Sequence, residues 1–258
     1  MLRPRIIPCL LIRDKGLVKT VGFKNPKYVG DPINAVRIFN EKESDELMVV
    51  DIDATVKKEE PDYKLIEKLA SECRMPLCYG GGIKTVEQAQ RIFSLGVEKI
   101  AISSAAVENP DLITAIANRV GNQSAVVVLD VKKKVFGGYE VVTHNSKKST
   151  GKSPIELAKL FQGKGAGEII INSVDQDGQM TGFDLVLAEK IRDVISCPLT
   201  ILGGAGSLND LGKLISKFGI IGASAGSLFV FRGAYKAVLI NYPTQAEKDI
   251  LIKNNFNL

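Results

Sequence analysis

The sequence predicts a (βα)8 TIM barrel built from two half-barrel repeats, and three observations carry that prediction. Strand-length apolar runs recur along the 258 residues, helix-period segments separate most of them, and one constant offset lays the second half on the first. Strands apolar on both faces, alternating with amphipathic helices, are the pattern of a parallel sheet covered by helices. Eight such units in a chain of this length favour a closed barrel over an open doubly wound sheet.

The strand-like runs are Arg5–Ile12, Leu47–Asp51, Leu77–Tyr79, Ile100–Ser103, Ala125–Leu129, Ile169–Ser173, Leu199–Leu202 and Ile220–Ser224. Helix-period segments lie at Pro32–Asn40, Lys64–Ala70, Val86–Phe93, Leu112–Ala117, Pro154–Phe161 and Leu185–Val194. Pro32 and Pro154 stand 122 positions apart (154 − 32), and the same shift pairs Phe39 with Phe161, Glu46 with Glu168, and Asp53 with Asp175. It also pairs Asp62 with Asp184, Pro76 with Pro198, and Gly81-Gly82 with Gly203-Gly204. A single domain over 1–258 follows, with half-barrels at about 1–122 and 123–258.

Two stretches interrupt the alternation. Arg13–Gly30 reads as a long basic loop after the first strand, of the kind that serves as a lid or binding loop. Residues 132–150 read as a hairpin inserted after the fifth strand, turning at Gly137-Gly138. The tail Gln245–Leu258 is polar, with a weak helical signal.

Composition removes several chemistries. There are 34 Lys+Arg against 29 Asp+Glu, a net charge of +5, and no basic stripe interleaved with aromatics, so no nucleic-acid partner is expected. The single histidine, His144, cannot build a multi-histidine metal site, and its polar run reads as a solvated loop. No metal or cofactor is expected. Cys9, Cys73, Cys78 and Cys197 form no CxxC pair and read as reduced thiols. No run approaches a membrane span, and Ile6–Ile12 is too short for a secretory core, so a soluble, cytoplasmic protein without a membrane partner is expected.

The working face of such a barrel lies at the C-terminal ends of its strands. Gly80-Gly81-Gly82 and Gly203-Gly204-Ala205-Gly206 fall there, each read as ending a strand and opening a helix. Ser103-Ser104 and Ser224 to Ser227 fall at the next strand end of each half. Glycine lets backbone N–H groups approach an oxyanion, so each half supplies a candidate phosphate cradle, and a ligand phosphorylated at both ends would span the mouth. Glycines at such turns also serve packing alone. Asp51, Asp53, Asp130, Asp175 and Asp177 are the strand-end carboxylates. Asp130 is placed as a general acid or base, whereas Asp175 and Asp177 read equally well as turn residues.

These segments resemble the cyclase subunit of imidazole glycerol phosphate synthase along essentially the whole chain. The resemblance rests on Arg5-Ile6-Ile7, Cys9-Leu10, Val18-Lys19, Gly30-Asp31-Pro32, Asp45-Glu46-Leu47 and Tyr79-Gly80-Gly81-Gly82-Ile83. It continues through Ala105-Ala106-Val107-Glu108-Asn109-Pro110, Thr150-Gly151, Gly165-Ala166-Gly167-Glu168 and Asp175-Gln176-Asp177-Gly178. It implies a glutaminase (HisH-like) partner on the N-terminal face and a bisphosphorylated substrate on the other. It implies an ammonia gate of Arg5, Glu46, Lys99 and Glu168, although a salt-bridge cluster closing the barrel would use the same four charges. It places phosphate contacts at Gly82, Ser103 and Ser104 in one half. In the other half they fall at Asp177, Gly178, Gly204, Gly226 and Ser227.

The family's acid–base pair is one aspartate ending the first strand and one ending the fifth. Here the fifth-strand residue is Asp130 and the first-strand position is Leu11. Leu202 likewise stands where the family has a small polar residue. Together with Pro8-Cys9-Leu10-Leu11-Ile12 and Lys19–Tyr28, these departures resemble the divergent AglZ-type branch. That branch implies ammonia supply to a separate sugar amidotransferase, for acetamidino modification of a surface-polysaccharide sugar. A true cyclase of histidine biosynthesis, with water or Asp51 covering for the missing acid, is the alternative expectation. A phosphosugar isomerase working without a partner would have no use for the four gate charges.

Overall fold

The computed structural model describes residues 3–233 and 235–255. The chain opens with β1 (Arg5–Arg13), a hairpin of β2 (Gly16–Val21) and β3 (Lys24–Gly30), and α1 (Pro32–Glu41). The first half continues through β4 (Leu47–Asp51), α2 (Ala54–Lys57), α3 (Tyr63–Glu72), β5 (Leu77–Gly80) and α4 (Val86–Ser94). It ends with β6 (Lys99–Ile102), α5 (Ser104–Glu108) and α6 (Asp111–Val120). The second half runs through β7 (Ala125–Lys133), β8 (Tyr139–Thr143), β9 (Lys148–Ser149), α7 (Pro154–Gly163), β10 (Glu168–Ser173) and α8 (Leu185–Arg192). Then come β11 (Leu199–Leu202), α9 (Leu208–Phe218), β12 (Gly222–Ala225), α10 (Ser227–Val230) and, after a short two-stranded ribbon, the final helix Gln245–Asn255.

Around the barrel the order is β1-β4-β5-β6-β7-β10-β11-β12, and β12 pairs back onto β1. Every one of those pairings is parallel. This is the closed (βα)8 barrel expected from the alternation. The repeat extends to the helix starts, where a side chain must satisfy otherwise orphaned N–H groups. Asp31 caps α1 and Ser153 caps α7, each ahead of a proline. Asp62 caps α3 and Asp184 caps α8. Thr85 with Gln88, and Ser207 with Asp210, form capping boxes on α4 and α9. All three pairs keep the offset of 122 found in the sequence.

Strand alternation splits the core in two. Ile6, Leu10 and Ile12 face outward onto the helices with Val36, Phe39 and Val49. Ile7, Cys9, Met48, Cys78, Val126, Val128, Ile170 and Leu202 fill the lumen, with Leu11 and Val50 packed above them. The barrel is a packed core with polar ends.

Three expectations change. Arg13–Gly30 forms strands: β2 pairs antiparallel with the end of β1, matching Leu11 to Val18 and Arg13 to Gly16, and β3 pairs antiparallel with β2 to make the β2–β3 hairpin. Asp14 and Lys15 take left-handed backbone to make the tight turn, and burial of Leu17, Val18 and Lys19 holds the hairpin down. The glycine clusters do not open helices directly, because α4 and α9 wait for their capping residues. The short helices at the serines, α5 and α10, do start at the strand ends. The tail is a helix over Gln245–Asn255, and its Lys248 is buried. Lys248 Nζ donates to Asp45 Oδ1 at 2.8 Å and to the Glu43 carbonyl at 2.9 Å. The hairpin after β7 is present, with β8 pairing antiparallel to β7.

Candidate functional site

At the N-terminal end of the barrel, Arg5, Glu46, Lys99 and Glu168 form a closed ring. Arg5 donates to Glu46 and, at 2.7 Å, to Glu168 Oε1. Lys99 Nζ lies 2.9 Å from a carboxylate oxygen of each glutamate. Each cation therefore touches both anions. Thr200, fully buried on β11, donates a further hydrogen bond of 2.5 Å to Glu168 Oε1. Burial opposes charge on all three groups that follow, and pairing overcomes it. Arg5 and Lys99 are held above their ordinary pKa values by the two glutamates, and Glu168 is held below its own by Arg5 and Lys99.

At the opposite end lies a cavity of about 340 Å³. Gly82, Ser103, Ser104, Asp130, Asp177, Gly178, Gly204, Gly226 and Ser227 all line it. Sequence positions up to 145 apart (227 − 82) thus meet at one mouth, and none of the four ring charges reaches it. Asp130 follows the buried run Ala125–Leu129 of β7, directly across from Asn172 on β10. Asn172 Nδ2 donates to Asp130 Oδ1 at 2.8 Å, and Ser103 Oγ donates to Oδ2 at 3.3 Å. Burial pushes the Asp130 carboxyl up to about 6, against those two hydrogen bonds. A carboxyl poised there can give or take a proton near neutral pH.

Leu11 and Leu202 line the same mouth, so no carboxylate stands at the end of β1. Asp51 is also in the lining, but its Oδ1 accepts from the Asp53 and Ala54 backbones, at 3.0 and 3.1 Å. Burial raises its pKa as well. Asp53 sits in an ion-pair cluster, with Arg13 Nε and Lys57 Nζ each 3.2 Å away.

The β2–β3 hairpin closes over the second-half cradle. Asp177 Oδ2 accepts from Thr20 Oγ1 at 2.7 Å and from the Phe23 backbone at 3.0 Å. Asp175 Oδ2 accepts from the Lys133 backbone at 2.7 Å and tethers the other hairpin. Both aspartates thus have anchoring roles. Gly204 has φ +108°, and a Cβ there would fall 2.1 Å from the Gly182 carbonyl. At Gly226 a Cβ would strike the Lys19 ammonium. Packing therefore demands glycine at 204 whatever it binds, whereas at 226 the Lys19 side chain would have to move.

Three mouth residues escaped the sequence reading. Lys19 is buried and donates to the Cys9 carbonyl at 2.5 Å, and burial lowers its pKa. Asn172 carries no sequence signal, because its partnership with Asp130 depends on strand register. His144 is not a solvated loop residue: it lines the cavity, and its side chain is 18% exposed. The turn carrying it docks on the first half, with His144 N donating to Ser104 Oγ and Asn145 Nδ2 donating to the Ile52 carbonyl. The four cysteines are free thiols, Cys9 and Cys78 fully buried and Cys73 and Cys197 half-buried. Among the described residues no helix is long and apolar enough to cross a membrane.

Comparison with known proteins agrees with this geometry. Residues 5–236 match the family described as histidine biosynthesis protein. A Vibrio vulnificus protein, provisionally named imidazole glycerol phosphate synthase subunit hisF3, is 59% identical over 96% of each chain. A Leptospira interrogans protein, provisionally named as the HisF subunit, is 58% identical over 97% of this chain and 99% of its own. The imidazole glycerol phosphate synthase HisF subunit of Streptococcus gordonii is 37% identical over 89% of this chain and 91% of its own. This closed barrel, matched over nearly its whole length at such identities, belongs to the histidine biosynthesis protein family, as a HisF-like barrel of the imidazole glycerol phosphate synthase cyclase type.

Proposed function

We propose that this barrel binds a glutaminase on its N-terminal face, conducts ammonia through the lumen, and supplies a sugar amidotransferase that converts an acetamido group to an acetamidino group, as in the AglZ-type branch. The observation that carries the reading is Leu11 in the mouth lining, facing the same cavity as Asp130. Leucine neither donates nor accepts a proton. Loss of one positioned acid–base group costs about 10²–10⁴ in rate, so cyclisation loses half its machinery while an ammonia conduit loses nothing. Two further features support it. The ring of Arg5, Glu46, Lys99 and Glu168 is charge-balanced, so the species it passes best is neutral. The lumen above it is filled by Ile7, Cys9, Met48 and Cys78, apolar side chains among which NH₃ is far less costly to pass than NH₄⁺.

The second reading is a true cyclase of histidine biosynthesis. It is favoured by both cradles sharing one mouth with Asp130, since a conduit needs no bisphosphate site. In that reading Asp130 handles the proton at one end of the substrate, and the phosphates sit at Gly82, Ser103 and Ser104 and at Gly178, Gly204, Gly226 and Ser227.

An absorbance assay of cyclisation separates the two. It uses the purified barrel, the ribulosyl-formimino bisphosphate and excess ammonium at alkaline pH, with Leu11→Asp alongside. The proposal expects a silent wild type that nonetheless stimulates its partner glutaminase. Wild-type turnover at the rate of an ordinary cyclase would replace the proposal with the second reading. A gain of activity in Leu11→Asp would locate the loss in that one group, with the substrate still held.

A further inference from the structure

The turn between β8 and β9 has a conformation that its residues do not favour. His144, Asn145 and Ser146 have φ of 55°, 55° and 62°, three consecutive left-handed residues without a glycine. Glycine takes this conformation freely, and the turn instead carries side chains that reach the cavity. The turn spans the rim of the first half, bonded at Ser104 on one side and Ile52 on the other. His144, Asn145 and Lys147 all face the cavity together with Gly82, Ser103 and Ser104.

The charges around the imidazole are unbalanced. His144 Nε2 lies 3.4 Å from Lys148 Nζ and 3.7 Å from Glu108 Oε1, and Nδ1 lies 3.1 Å from Thr143 Oγ1. Lys84 also acts on it from the loop before α4. Lys84 and Lys148 thus act on the ring against Glu108, a carboxylate that is itself 61% exposed, and Lys147 stands on the same cavity wall. Burial first, and then Lys148, hold the imidazole below its ordinary pKa, so it is neutral at neutral pH. The carboxylates that share this mouth are already engaged, Asp51 by the Asp53 and Ala54 backbones, Asp53 by Arg13 and Lys57, and Asp130 by Asn172 and Ser103.

We propose that the 144–147 turn is the third wall of the first-half cradle, with His144 and Lys147 contacting the terminal phosphoryl group of a phosphorylated ligand and His144 taking up a proton as that group binds. The inference rests on reading that cradle as a phosphate site, and it adds a residue whose charge responds to occupancy. A dianion beside the ring favours the imidazolium. Affinity is then greatest below the free-state pKa of His144 and falls as pH rises through its bound-state pKa. The cradle would close on its ligand in acid and loosen in base.

Because the sequence contains one histidine, an ¹H–¹⁵N correlation of the untagged, full-length protein reports one imidazole. The probes are inorganic sulfate, a dianion that does not titrate in the range, and inorganic phosphate. Saturating sulfate is expected to raise the His144 pKa by about one unit, and sulfate affinity should then weaken by about tenfold in all from pH well below the free-state pKa to pH well above the bound-state pKa. His144→Gln should flatten that dependence, and Lys147→Ala should weaken sulfate at every pH. Calorimetric binding of sulfate that leaves the imidazole titration unmoved would overturn the inference and leave the cradles standing. No binding of either anion would overturn the first-half cradle itself, and this inference with it.

Discussion

The two ends of this barrel treat buried charge in opposite ways. At the N-terminal end, Arg5, Glu46, Lys99 and Glu168 neutralise one another in a ring where every cation reaches both anions. At the C-terminal end, Asp130 has only the neutral donors Asn172 and Ser103. The first arrangement fixes protonation, and the second leaves it adjustable, with a pKa near 6. A fully paired ring suits selection of a neutral species, and a carboxyl held by neutral donors suits proton transfer.

The contrast can be broken from the strong end first. Glu168→Ala would leave Arg5 and Lys99 each with one partner, and should cost about 3–5 kcal/mol in urea unfolding. An unchanged urea midpoint would mean that the ring is solvated and that the comparison is empty. The pH dependence has a defined sign. Because Glu168 is held below its unfolded pKa, its contribution is present above that value, about 4.3, and is lost as pH falls through the lower folded value.

The ring is also held from outside. Asp45, next to Glu46, accepts from the Ile6 backbone and from Lys248, and Tyr242 donates to the Ile6 carbonyl. Lys248→Met keeps the stem and removes the charge-assisted bonds, so it should cost roughly 1.5–3 kcal/mol in thermal or urea unfolding. A neutral result would detach the C-terminal helix from the ring.

Asp130→Asn should act in the opposite direction and stabilise the fold by roughly 1–3 kcal/mol at pH 7. The folded pKa of Asp130 lies above the unfolded one, so its stabilising contribution is complete below about pH 4 and is lost as pH rises through 6. The advantage of the variant should therefore vanish at pH 4 and plateau above pH 6. Destabilisation at pH 7 would show that the carboxylate is better satisfied than burial implies. The smallest test compares the halves: Thr85→Ala and Ser207→Ala each remove one capping box and should each cost about 1 kcal/mol. Unequal costs would show that the repeat is structural in one half only.

Much of this was legible in the residues. The offset of 122 fixed the barrel and its halves, because each βα unit must reproduce its own cap and core positions wherever it recurs. Strand-end position placed the glycine and serine clusters and Asp130 at one mouth, since a parallel barrel carries all its strand C-termini to one face, and the family resemblance singled out the individual phosphate contacts among them. The first hairpin was misread as a loop because its basic residues mask the pairing of Leu11 with Val18. The buried end of Lys248 lay hidden in a polar tail.

Local sequence thus determined the architecture, the paired ends and the presence of leucine at position 11, all of which follow from periodicity and strand position. Tertiary structure alone decided which groups meet. Asn172 reaches Asp130 through register, the 144–147 turn docks on Ser104 through a fold-back from β7, and Asp177 is occupied by the first hairpin. Those contacts join segments between 40 and 157 positions apart. Their geometry is set by how the closed barrel brings its strand ends together, which no local pattern encodes.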